Sequence, residues 1–337
     1  MRRGPIILLA GLVLTAAAAK GQLIPNLGGQ RAGISAYQSL KIGAGARGVG
    51  MGESFVAVAN DVSALYWNPA GLVEDSSDAV MAAHTEYVVD IRHDYLGIAY
   101  HLTRGDVIGL AVSSLHMADM EITTETQPFG TGRYFRFGDL GIGLSYSRRM
   151  TDQFSFGATV RYVEETLDVL KMRSVMVDLG TFYRTGLGTS RFAVVISNFG
   201  ADVSPEGLVS NAIGESASEF KSFSLPTVFK LGFALEPYVD EDFRVTASAQ
   251  LNHPNDNAEN LRLGSECAWN ETFFLRAGIK RTIGQKLLGE DQTSEEGFSA
   301  GAGVRLQAFS GAISADYAFT DFRRLGAVHR ISVAFTL

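Results

Sequence analysis

The chain has 337 residues and a formal charge of −7, with 37 glycines, 21 phenylalanines and 11 tyrosines against 8 prolines and a single cysteine. No extended run of Lys and Arg offers a footprint for a phosphate backbone, which excludes nucleic acid as a partner. Cys267 alone forms neither an internal disulfide nor a thiolate metal site, and a mean hydropathy of +0.09 leaves membrane strands open, because lipid-facing and lumen-facing residues average out.

Residues 1–21 have a basic start, a short apolar run and small residues at the end (Met1-Arg-Arg, Ile6-Ile-Leu-Leu-Ala, Ala16-Ala-Ala-Ala). This is the layout of a secretory signal peptide, with cleavage expected after Gly21. Removing Arg2, Arg3 and Lys20 leaves 29 − 3 = 26 basic residues against 36 acidic ones, a charge of −10. The apolar run is short for a span of about 20 residues, and no later segment supplies a membrane helix. A mature chain in a membrane must therefore cross it as a closed barrel.

Residues 22–78 read as an N-terminal hatch, or plug. Gly43, Gly45, Gly48, Gly50 and Gly52 alternate with small residues, a spacing that permits close backbone approach. Tyr66-Trp67-Asn68-Pro69-Ala70-Gly71 then stops a short helical run and turns the chain. A phosphate-cradling reading of the glycines lacks the βαβ context it needs. Tight packing in a confined space is the expectation, with Trp67, Asn68, Pro69, Ala70 and Gly71 as a structural or gating motif.

Residues 79–337 change to a period of two. Phe243, Val245, Ala247, Ala249 and Leu251 share one face of a strand, and Arg244, Thr246, Ser248 and Gln250 the other. Similar alternation predicts strands near 79–89, 93–102, 106–116, 136–149, 152–164, 174–185, 190–199, 227–238, 242–252, 259–270, 272–283, 297–308, 309–320 and 325–337. Short connections (103–106, 150–153, 186–190, 270–271) alternate with longer ones (117–135, 164–173, 200–226, 253–258, 284–296), as in barrels with tight periplasmic turns and long outer loops. The predicted fold is all-β: a transmembrane, antiparallel, up-and-down β-barrel of about fourteen strands with an N-terminal hatch and both termini periplasmic.

The stretch Gly45-Ala-Arg-Gly-Val-Gly-Met-Gly-Glu-Ser-Phe-Val-Ala-Val-Ala-Asn-Asp-Val-Ser-Ala-Leu-Tyr-Trp-Asn-Pro-Ala-Gly-Leu72 resembles the N-terminal signature of the PorV/PorQ family of outer-membrane proteins. That family is related to the FadL long-chain fatty-acid transporters, which carry a similar Asn-Pro-Ala in a hatch inside a fourteen-stranded barrel. The final strand, with Ile331, Val333, Phe335 and Leu337 on one face, resembles the C-terminal signal of barrel assembly, with Leu337 where an aromatic is usual.

The resemblance implies an outer-membrane component of the type IX secretion system, partnered by outer-membrane lipid and by secretion-system or cargo proteins. The alternative is a FadL-like transporter of long-chain fatty acids or another hydrophobic small molecule. Neither role calls for a cofactor. His84, His93, His101, His116, His253 and His329 lack zinc-ligand spacing, so no metal site is expected, and no Gly-x-Ser-x-Gly elbow points to an enzyme. Glu164, Glu165 and Asp168, with Asp291, Glu295 and Glu296, read as acidic outer loops, and Asn255-Asp-Asn257 as a plain turn. The 200–226 connection, carrying Leu208, Ile213, Phe220 and Phe223, is a candidate docking loop for a partner protein or, equally, a lid folding over the barrel mouth.

Overall fold

A computed structural model describes residues 33–210, 216–217, 219–283, 297–308 and 311–337. Ile213, Asp291, Glu295, Glu296 and the leader lie outside the described residues. Among those described, strands β1 (Ala79–Glu86), β2 (Arg92–Thr103), β3 (Asp106–His116), β4 (Phe137–Arg149), β5 (Phe154–Leu167), β6 (Leu170–Arg184) and β7 (Arg191–Gly200) form one half of the wall. The other half is β8 (Val228–Val239), β9 (Phe243–Pro254), β10 (Asn260–Trp269), β11 (Phe273–Thr282), β12 (Phe298–Ala308), β13 (Gly311–Asp321) and β14 (Ala327–Thr336). Each pairs antiparallel with its chain neighbours, and β1 closes the barrel on β14 from Ala79 opposite Thr336 to Glu86 opposite His329.

The alternation decides which face goes where. Along β9, Thr246, Ser248, Gln250 and Asn252 are buried inside while Phe243, Val245 and Ala247 turn outward. Exposed aromatics gather on the outer wall at the end where β1 begins: Tyr100, Tyr146, Tyr183, Tyr238, Phe243 and Trp269. Trp269 stacks between Phe243 and Phe273, at 6.4 and 5.6 Å. An apolar band with an aromatic girdle and a polar interior is the pattern of an outer-membrane barrel. Cys267 takes the position expected for a small wall residue, half-buried on β10.

Two connections differ from the sequence expectation. The 164–173 segment is not a long loop: β5 and β6 continue to a two-residue turn at Asp168 and Val169, with Asp168 in the left-handed region (φ 55°). Glu164 faces outward between Lys171 and Arg173, at 3.0 and 2.7 Å, whereas Glu165 is buried inside. Opposite charges placed cross-strand extend a hairpin without an apolar pattern, so the alternation of polar residues was read as loop. The connection at 255–259 is also short, and its Asp256 is buried rather than solvated.

The apolar core lies inside the barrel, not between layers. Two α-helices, α1 (Ala46–Gly50) and α2 (Ala64–Trp67), and two 3-10 segments, Gln38–Lys41 and Pro69–Glu74, fold residues 34–78 into a plug. Val49, Met51, Phe55, Val56, Leu65 and Trp67 pack there against small wall residues including Ala99, Ala193, Ala234 and Ala318. Alanines and glycines on the inner wall give the plug its volume.

Candidate functional site: the plug, its anchors and the loop end

Each member of the Tyr66–Gly71 motif has a structural task. Trp67 is 2 % exposed, lies edge-on to Phe55 and Tyr66, and donates from Nε1 to Ala44 O at 2.9 Å. Asn68 has extended backbone that ends α2, and its Oδ1 accepts from Ala70 N at 3.1 Å, capping the 3-10 segment that Pro69 opens. Its Nδ2 donates to Val56 O inside the plug and to Thr181 O on β6, at 2.9 and 3.1 Å. One amide therefore caps a helix, ties the plug to itself and ties it to the wall. Ala70 is fully buried, and a Cβ on Gly71 would meet Ala59 O at 2.0 Å.

The wall answers with glycines that sequence reasoning did not single out. Gly157 and Gly180 face each other on β5 and β6. A Cβ on Gly157 would come within 2.3 Å of the Pro69 carbonyl carbon, and one on Gly180 within 2.1 Å of Asn68 Oδ1. Across the lumen, Gly264 and Gly278 pair on β10 and β11, and their added Cβ atoms would meet Met51 O at 2.3 Å and Gly52 N at 2.2 Å. Glycine weakens a strand interior unless another backbone must approach closely, and here one does. The signal was the isolated glycines inside strand patterns.

Polar anchors complete the seal. Gln250 Oε1 accepts from Phe55 N and Val56 N at 2.9 and 3.1 Å, Ser248 Oγ donates to Ser54 O at 2.7 Å, and Ser332 Oγ accepts from Ala46 N at 3.0 Å. Arg191 Nε donates to Ala57 O at 2.7 Å, Ser155 Oγ donates to Glu74 Oε1 at 2.7 Å, and Arg184 pairs with Glu74. Arg47 on α1 bridges Asp61 at 2.6 Å and Glu266 on β10 at 3.0 Å. Glu266, wholly buried, also takes Arg276 at 2.7 Å, which continues to Asp316 at 2.6 Å. Glu53 pairs with Arg262. The plug is held from several sides, with a cavity of about 200 Å³ between Arg47 and Asp61 of the plug and Arg276, Asp316 and Ser332 of the wall.

Near the loop end, Lys41 reaches Asp256 at 2.5 Å, and Ser35 and Gln38 also donate to that carboxylate. Burial pushes the Asp256 carboxyl up, but the bonds from Lys41, Ser35 and Gln38 outweigh it and hold it below its ordinary value. A depressed carboxyl contributes stability above its unfolded value, about 3.9, and loses it as pH falls through the folded value. We expect a nitroxide at Ile34 to give immobilised spectra at pH 7 and mobile ones well below pH ~4, with Asp256→Asn already mobile at pH 7. Spectra insensitive to both changes would remove Asp256 as the tether.

The candidate docking residues do not form one cluster. Leu208 is 60 % exposed, Phe223 is exposed and Phe220 is partly buried. Phe223 exchanges backbone hydrogen bonds with Val203, folding part of the 201–227 connection onto itself. A short ribbon, Met120–Glu121 with Tyr134–Phe135, lies within the 117–136 connection, in which Phe129 is 98 % exposed and Tyr134 is exposed too. Phe129 was not singled out from sequence, although an aromatic between Gln127-Pro128 and Gly130 in a polar loop was a visible signal. Of the histidines, His93 is buried on the lumen side, while His84 meets Asp94 at 2.6 Å on the outer wall. Among the described residues no cluster of His, Cys, Asp and Glu could hold a metal.

A closed antiparallel barrel with an apolar outer band and a plugged polar lumen defines an outer-membrane β-barrel protein. A family model described as "Type IX secretion system protein PorV" matches residues 28–254, more than half of the chain, and the chain belongs to that family. Its fold is similar to that of a Pseudomonas aeruginosa FadL homologue (TM-score 0.52, 15 % identity, covering 86 % of this chain and 97 % of that one). It is similar also to the Ralstonia pickettii toluene transporter TbuX (TM-score 0.55, 12 % identity, 87 % and 97 %) and the CymD monoaromatic hydrocarbon channel (TM-score 0.55, 12 % identity, 88 % and 97 %). At these identities the likeness concerns the fold. No curated protein matches the chain in sequence.

Proposed function

We propose that this barrel serves type IX secretion as a docking platform, supporting export or surface attachment of cargo through contacts at its long-loop end, and that it is neither an enzyme nor an open conduit. The observation that carries the secretion role is the family match over residues 28–254. The plug geometry supports docking over conduction, because free passage requires displacing a body bonded to Thr181, Arg191, Gln250, Glu266 and Ser332. In this reading residues 1–21 are a cleaved leader, residues 22–78 the hatch and residues 79–337 the barrel, with the long loops at the cell surface. Phe129 and Leu208 supply exposed apolar contact area there.

The transporter alternative has the fold likeness in its support. Against it stands the polar lining of the cavity above the plug, where Lys230, Asn252 and Asn260 would lose water to a hydrocarbon without gaining a hydrogen bond.

Photo-crosslinking in native outer membranes tests the docking reading. A crosslinking residue at Phe129 or Leu208 should capture envelope or cargo proteins, and one at Leu187, exposed in the 185–190 turn at the opposite end, should not. Equal capture from all three positions, or from none, would contradict it.

A further inference from the structure

Between the plug and the loop end lies a cavity of about 420 Å³, within the range of about 300–1,000 Å³ typical of ligand pockets. Its floor is made by plug residues including Lys41, Glu53 and Tyr66, and its sides by inward residues of β8, β10 and β11 and by the 255–259 connection. Two of its cations are matched: Lys41 by Asp256, and Arg262 by Glu53.

Lys230 is different. It is 9 % exposed, lines the cavity, and has no carboxylate within ion-pair distance and no hydrogen-bond acceptor among the described residues. Its ammonium lies 5.8 Å from the centroid of Tyr66, a cation–π contact. Glu53, the carboxylate in the lining, already feels Arg262, Lys280, Arg330 and Lys230 together. The amides of the lining lean the same way. Asn260, in the cross-strand row Lys230–Asn252–Asn260, is buried with its Oδ1 accepting from Arg262 Nε at 2.9 Å, and Asn257, exposed in the 255–259 connection, has its Oδ1 accepting from Ala258 N at 2.8 Å, so neither NH₂ has a protein acceptor among the described residues. Among the described residues the lining thus presents Lys230 and these NH₂ groups as donors without protein partners, with Glu53 as its carboxylate.

We infer that this cavity is a binding site for a small polar oxyanion, a carboxylate- or phosphate-bearing molecule held by Lys230 and the amides of Asn257 and Asn260. A charge-assisted hydrogen bond to a buried ammonium is stronger than a neutral one, and an anion replaces cavity water as its counter-ion. An apolar ligand would instead desolvate Lys230 and both amides without return. The inference stands independently of the secretion role, since it concerns the lumen and not the loops.

The test is titration of the full mature chain, in detergent at constant ionic strength set with NaCl, with citrate and with inorganic phosphate as probes and glucose as the neutral control. Calorimetry and the thermal midpoint are read together, because a ligand that binds only the folded state raises stability with concentration. We expect saturable binding of at least one anion and none of glucose. Lys230→Met should weaken it about tenfold or more, the scale of one charge-assisted hydrogen bond, while Lys230→Arg retains it. Heat-modifiable gel migration establishes that each variant is folded. Should Lys230→Met fail to fold, Asn257→Asp, which adds a carboxylate to the lining, is expected to weaken binding comparably. No saturable anion effect, or equal affinity in wild type and in whichever of Lys230→Met and Asn257→Asp folds, would overturn the site.

Discussion

Glu266→Gln should destabilise the plugged barrel by about 3–5 kcal/mol, the cost of breaking a buried ion pair by removing one partner. Glu266 is wholly buried and accepts from Arg47 at 3.0 and 3.1 Å and from Arg276 at 2.7 Å. Glutamine keeps the shape but presents a neutral amide to two guanidiniums, and one of its amide atoms is a donor facing donors. Asp61 and Asp316 still hold the far sides of Arg47 and Arg276, so the barrel wall is expected to close while the plug loosens. Denaturant unfolding in lipid should show the loss, and Arg244→Gln, at the rim of the same network with Arg244 3.5 Å from Glu266, should cost far less. Equal costs for the two variants would mean that the network does not hold the plug.

Gly157→Val tests the same claim by sterics. The nearest atoms to its Cβ are the carbonyl carbon of Pro69 at 2.3 Å and Ala70 N at 2.4 Å. Both are backbone, so no rotamer change relieves the overlap. Overpacking of this kind costs roughly 1–3 kcal/mol or more, and the least costly relief is displacement of the 69–71 turn from the wall. The expected results are a lower unfolding midpoint, increased entry of bulky antibiotics through the outer membrane, and measurable conductance in planar bilayers. The control is Gly188→Val, at a turn glycine with open space around it but a left-handed φ of 60°, where strain arises without plug displacement and permeability should stay low. A Gly157→Val barrel as tight as wild type would show that the plug does not meet β5.

Much of this architecture was legible in the chain. A period of two with small and polar residues on one face wrote the wall, its inside and its outside, and the even number of such segments wrote the up-and-down topology, although two of the connections expected to be long are short. The plug was legible as a break in that period, with Asn68-Pro69 and the clustered glycines as punctuation. What escaped was whatever depended on a partner far along the chain. Gly180 reads as a weak spot in a strand until Asn68 is placed against it, and Glu266 reads as one more lumen residue until Arg47 arrives from α1. Asp256 in Asn255-Asp-Asn257 looked like an ordinary turn because the local sequence satisfies a turn without any role for the carboxylate. The β5–β6 hairpin escaped for another reason: above the lipid its strands alternate Glu164, Lys171 and Arg173 on the outside, and hydropathy carries no signal there.

The same physics separates the two ends of the molecule. The aromatic girdle and the apolar band suit the barrel wall to lipid, while the two proposals rest on different parts of the molecule: docking on Phe129 and Leu208 at the loop end, and anion binding on Lys230 in the cavity beneath it. A lesion in one should therefore leave the other intact.

The most direct test of the secretion role is a quantitative comparison of secreted and surface-attached proteins in strains with and without this gene, with uptake of a labelled long-chain fatty acid followed in parallel. Selective loss of proteins that share a C-terminal sorting domain, with uptake unchanged, is the predicted result. Normal secretion with reduced uptake would contradict it and assign the barrel to transport.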